Sequence, residues 1–252
     1  MTRRFGHPFL LIVIAIGLVV LPVATSFAGT SAASYHWARK RSHFTLQVGD
    51  DLSHNWNRLF RRTLADWNKN DTVTLDKARG RTNPKKCQRV TGRVEVCNSQ
   101  YGTGTGWLGL TRLYFDQSGH IEAATVQLND SFLNASGSKY DSDAARRHTM
   151  CHELGHTVGL EHVDTRSCMN NSQKAVFNNL KPIHRDFREL RRNYDHRDDE
   201  TTVSSASVTS EDVLVPTSLP AKPTGPDATE TVTVQTLDDG REVVTFITWA
   251  KD

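Results

Sequence analysis

The stretch His152-Glu153-Leu154-Gly155-His156-Thr157-Val158-Gly159-Leu160-Glu161-His162 constrains this chain more than any other. On a helix, residues four apart share one face with Cβ atoms ~5–6 Å apart. His152 and His156 can therefore hold one ion between them, at Zn–N distances of about 2.0–2.1 Å. Glu153 stands one step round the helix, within reach of a water at that ion without ligating it. A straight helix cannot supply a third ligand with tetrahedral geometry. Gly159 tolerates positive φ, so it can end the helix and bring His162 back to the ion. Three protein ligands leave a fourth position open, the arrangement of a catalytic zinc centre. His148, one turn earlier, makes a rival pair with His152. Only His152/His156 encloses a glutamate and precedes the glycine turn, so His148 is expected at the surface or behind the ligands.

The full motif resembles the zinc signature of the metzincin metallopeptidases, and most closely that of the matrixins. The resemblance implies a secreted zinc-dependent endopeptidase with one catalytic Zn²⁺ held by His152, His156 and His162. Glu153 would act as general base on a zinc-activated water and then as general acid toward the departing amine. The family's methionine turn has its counterpart in Ser167-Cys168-Met169-Asn170. Asn171 stands where astacin-like relatives carry a tyrosine, in line with the matrixin comparison. The resemblance further implies an α+β (mixed α/β) domain with a five-stranded mixed sheet, its antiparallel edge strand at Trp107–Thr111. There Gly109 and Leu110 would receive a protein or peptide substrate as an added strand. Residues 170–180 would shape a side-chain pocket. Structural Ca²⁺ is common in matrixins, but Asn129, Asp130, Asp141 and Asp143 form no recognisable calcium loop. The latency cysteine of that group has no counterpart before the first strand.

A chain of 252 residues with net charge +3 allows one good-sized domain with appendages and gives no argument for nucleic acid. The start reads as a signal peptide: Arg3 and Arg4, an apolar run Phe9–Leu21, then Ser26-Phe27-Ala28. The run is shorter than the about 20 residues of a membrane span, so no stable anchor is expected. Cleavage is expected after Ala28, with Ala33 the alternative. All four cysteines, Cys87, Cys97, Cys151 and Cys168, follow this leader, so disulfides are the natural reading in an exported chain. Three pairings are open; the sequence-local one, Cys87–Cys97 with Cys151–Cys168, is expected.

Along the chain, residues 29–42 form a short N-terminal segment and 43–196 the catalytic domain. His43–Val48 alternates as a strand, and Asp50, Asp51 and Ser53 offer N-caps to a helix carrying Trp56, Leu59, Phe60, Leu64 and Trp67 on one face. Strands are expected at Thr72–Leu75, Arg93–Cys97, Trp107–Phe115 and His120–Leu128, with a loop over Arg79–Arg89. Ser142 caps the helix that runs to Leu160, and a last helix begins after Pro182. Residues 197–230 read as a Ser/Thr/Pro-rich linker, and 231–252 as a β-hairpin turning at Asp239-Gly240. A lone hairpin is marginal in water. It must dock on the catalytic domain, another chain or a surface. The chain is expected to be a monomer, and the hairpin best supports the rival reading, an exported binding or adhesion module without catalysis.

Overall fold

The computed structural model describes residues 35–203, 219–223 and 229–251; the leader Met1–Ala28 and the alternative cleavage site at Ala33 lie outside them. The fold is mixed α/β, built on one seven-stranded sheet. Strand β1 (Phe44–Asp51) enters first, and a single 3-10 turn at His54–Trp56 leads into helix α1 (Asn57–Trp67). Asp50 and Asp51 do not cap that helix as expected. They close β1, where Asp50 pairs with Lys77 and Asp51 accepts from the Thr82 amide. Strands β2 (Val73–Arg79), β3 (Val94–Ser99), β4 (Trp107–Phe115) and β5 (Ile121–Asn129) follow.

After the one-turn helix α2 (Asp130–Leu133) comes the central helix α3 (Asp143–Thr157), capped by Ser142 accepting from the Ala145 amide. A second one-turn helix, α4 (Ala175–Asn178), and α5 (His184–Asn193) complete the helical layer. The hairpin β6 (Glu230–Thr236) and β7 (Glu242–Trp249) ends the described chain.

The strand order is β2-β1-β3-β5-β4-β7-β6. Strands β2, β1, β3 and β5 run parallel, and β4 lies antiparallel to β5. This much matches the expected five-stranded sheet. The difference lies beyond β4, which is not an edge: β7 pairs along its length from Trp107↔Trp249 to Tyr114↔Val243, and β6 pairs with β7. The hairpin thus solves its own stability problem by joining the sheet, which supplies β7 with backbone partners on both sides. Seven of its eight residues are buried.

Helices α1 and α3 cover the core side of the sheet. Three tryptophans bury their ring bodies there and pin their polar tips: Trp37 Nε1 donates to Thr157 O at 2.8 Å, Trp67 Nε1 to Cys151 O at 3.1 Å, and Trp56 Nε1 to Asp130 Oδ1 at 3.0 Å. An ion pair between Asp66 and Arg147, 2.5 Å apart and mostly buried, ties α1 to α3. Cys87 pairs with Cys97 and Cys151 with Cys168, as expected. Among the described residues, no helix is long and apolar enough to cross a membrane.

Candidate metal centre and active site

Helix α3 presents His152 and His156 from one face, their Nε2 atoms 3.1 Å apart. The next turn ends at Gly159, whose φ is +82° and whose Cα faces the Tyr35 carbonyl so closely that a Cβ would sit 1.6 Å from its oxygen. That turn brings the His162 ring to within 5.3 Å of the His152 ring and 5.0 Å of the His156 ring, centroid to centroid.

The tautomers follow from the partners. His152 Nδ1 lies 2.7 Å from Cys168 O, and His156 Nδ1 lies 2.8 Å from Leu160 O. A carbonyl can only accept, so each Nδ1 carries its proton and each Nε2 is turned inward, toward the other and toward His162. Nε2 atoms 3.1 Å apart share a proton or a cation between them, and backbone-oriented imidazoles are the usual support of metal ligands. The chemistry of the donor set therefore fits a zinc ion.

Met169 is fully buried beneath these ligands, against Gly155: a Cβ on that glycine would meet the Met169 sulfur at 2.2 Å. The disulfide Cys151–Cys168 fixes the methionine turn to α3, and so fixes the carbonyl that orients His152. His148 is not a surface residue. It is 1% exposed, contacts Asn179 O at 2.6 Å through Nδ1 and stacks behind His152 at 5.7 Å.

Glu153 is fully buried, and its two oxygens accept from Thr111 Oγ1 and Thr248 Oγ1, both at 2.7 Å. Burial pushes its carboxyl up to about 7. Gly109 passes close by: a Cβ there would lie 2.4 Å from Glu153 Oε1. Leu110 packs with Trp107, Ile247 and Trp249. As described, the backbones of both residues are engaged by β7, Gly109 opposite Thr248 and Leu110 opposite Ile247. The edge expected to receive a peptide is filled by the chain itself.

The residue that sequence reasoning missed is Glu230, the first residue of β6. Its carboxylate is 2% exposed and lies 3.2 Å from both His152 Nε2 and His156 Nε2, and it also contacts His162 Nε2. Burial opposes ionisation of Glu230, but His152 and the other imidazoles outweigh it and hold the carboxyl well below its ordinary range. Phe246 of β7 completes the closure, stacking on the His156 ring at 4.0 Å. No motif could have flagged Glu230, which reads as an ordinary strand-end charge.

The carboxylates near the considered calcium region are otherwise occupied. Asp130 accepts from Trp56 and Asn98, while Asp141 and Asp143 pair with Arg146, and Asp143 also with Arg58.

No family model and no curated protein matches the chain. Among solved structures, similar ones include an archaemetzincin from Archaeoglobus fulgidus complexed with malonate (14% identity, 57% of this chain and 97% of that one, TM-score 0.32). Another is an archaemetzincin from Methanopyrus kandleri (15%, 67% and 100%, TM-score 0.37). A third is high choriolytic enzyme 1, a hatching-enzyme zinc-protease from Oryzias latipes (12%, 68% and 100%, TM-score 0.35). Superposition this loose decides nothing about activity.

Proposed function

We propose that this protein is a secreted, matrixin-like zinc endopeptidase whose own C-terminal hairpin holds it closed. The observation that carries the reading is the convergence of three histidine Nε2 atoms beside a buried glutamate that itself ligates nothing. A bound zinc ion would supply Lewis acidity, polarising a peptide carbonyl and bringing a water's pKa down to ~7. Glu153 takes the proton from the attacking water and returns it to the leaving amine. The β4 backbone at Gly109 and Leu110 aligns the substrate once β7 has left it. In the closed form Glu230 takes the position the carbonyl and water need, Thr248 holds Glu153, and β7 fills the peptide groove.

A specific observation also favours a second reading. Four protein ligands and no open position describe a structural zinc site. If the hairpin never leaves, the chain is an exported binding module without catalysis. A protease site placed within residues 204–218 separates the two. The intact and the cut chain, the latter washed to remove the hairpin, are incubated with a mixed peptide library, with and without chelator. Chelator-sensitive cleavage by the cut chain, at least tenfold above the intact one, supports the latent peptidase. A cut chain that releases its hairpin, keeps its zinc and cleaves nothing supports the binding module.

A further inference from the structure

Outside the α3 centre, four titratable side chains from three separate stretches meet at one atom. His36 Nε2, His120 Nε2 and His196 Nε2 lie 3.6, 3.5 and 3.4 Å from Asp198 Oδ1, and His36 Nε2 lies 3.1 Å from His196 Nε2. We propose that His36, His196 and Asp198 form a second binding site for a zinc-class divalent cation.

The distances carry the argument. An N–H donated to a carboxylate runs about 2.7–2.9 Å when charge-assisted, and three contacts of 3.4–3.6 Å to one oxygen are too long for that. Ligand atoms bound tetrahedrally at about 2.0–2.1 Å stand about 3.3 Å from one another. The triangle of His36, His196 and Asp198, with sides of 3.1, 3.4 and 3.6 Å, matches that spacing. The His36 and His196 rings stand nearly perpendicular, their centroids 4.6 Å apart.

The carboxylate is held for this role. Asp198 Oδ2 accepts from the Arg39 amide at 2.9 Å, and the Asp198 amide donates to Arg39 O at 3.0 Å, which leaves Oδ1 to the imidazoles. Such outer hydrogen bonds orient metal ligands. Two imidazole nitrogens and one carboxylate oxygen select zinc-class ions over the oxygen-seeking calcium and magnesium. His196 is 44% exposed on its side chain, so the ion has a route in from solvent.

The site has a structural task. The N-terminal stretch pairs with β5, where the Ile121 amide donates to His36 O at 2.8 Å, and with the segment after α5, where the Thr202 amide donates to Ala38 O at 3.1 Å. The ion would staple these stretches together. Next to His36 stands Tyr35, whose carbonyl is the group packed against Gly159. The second site therefore braces, from behind, the turn that delivers His162.

The test is zinc stoichiometry in the full chain, read by elemental analysis after equilibrium dialysis of apoprotein against zinc. Two equivalents are expected. His152→Ala/His156→Ala should retain one, held by the second site, and His196→Ala should retain one, held by α3. Asp198→Asn should do the same with an unchanged far-UV circular dichroism spectrum, which separates ligand loss from misfolding. Zinc, but not calcium, should raise the melting temperature of His152→Ala/His156→Ala and leave that of the same variant carrying His196→Ala unmoved. The inference is overturned if His152→Ala/His156→Ala binds no zinc, or if His196→Ala and Asp198→Asn both keep the zinc content of the unaltered chain. A chain that binds two equivalents yet hydrolyses no peptide would sink the peptidase reading and leave this one standing.

Discussion

Glu230 Oε1 lies 3.2 Å from His156 Nε2, joining the first residue of the C-terminal hairpin to the last ligand of the central helix. That contact makes the hairpin part of the metal centre, and it governs what each substitution should show.

Glu153→Gln keeps the size and position of the side chain but cannot accept a proton. In the chain freed of its hairpin, peptide turnover should fall by about 10²–10⁴-fold, the range for losing a general acid–base group. Zinc content should stay at the unaltered level. Undiminished turnover would refute the role given to Glu153.

Phe246→Ala removes the ring stacked on His156 at 4.0 Å and 98% buried. A buried Phe→Ala change costs about 3–5 kcal/mol. Phe246 joins the main core from the hairpin side, so the loss weakens hairpin docking along with that part of the core. Amide hydrogen exchange along β4 should speed up, and peptidase activity of the intact chain should rise. Loss of structure throughout, with no gain in activity, would show the hairpin to be inseparable from the fold.

Asp66 and Arg147 give a pH signature. Burial alone would raise the Asp66 carboxyl, but hydrogen bonds from Lys69 and Arg147 hold it below its ordinary value. A depressed folded pKa contributes stability above the unfolded value of about 3.9, and that contribution disappears as pH falls through the folded one. Urea midpoints of the unaltered chain should therefore drop below about pH 4 more steeply than those of Asp66→Asn. At neutral pH, Arg147→Met should cost about 1.5–3 kcal/mol, the range for one hydrogen bond to a charged group, because Lys69 still pairs with Asp66.

Cys151→Ala/Cys168→Ala opens a loop with a sequence separation of 17. The chain-entropy cost is about 3 kcal/mol. Because Cys168 O receives the His152 Nδ1 proton, zinc affinity should fall too. A zinc competition titration that matches the unaltered chain would show that the methionine turn holds without its disulfide.

Much of the centre was legible because it is local. His152, Glu153 and His156 share a helix, Gly159 carries the one backbone angle that returns His162, and Met169 follows within a few residues. The sheet from β1 to β5 showed in alternating strands. The hairpin showed as two strands and a turn, but not its address. Strand β7 is buried on both faces, so its sequence EVVTFITW lacks the alternation that would reveal one dry side. Glu230 and the cluster at His36, His196 and Asp198 depend on contacts between distant stretches, for which spacing along the chain is no guide.

The pairing of β7 with β4 is a binding reaction in which both partners belong to one molecule. While the chain is whole, re-docking is first order, and dilution does not favour the open form. A single cut between residues 204 and 218 makes the same event second order. From then on the balance depends on protein concentration, and a groove closed where the protein is abundant would open as it disperses.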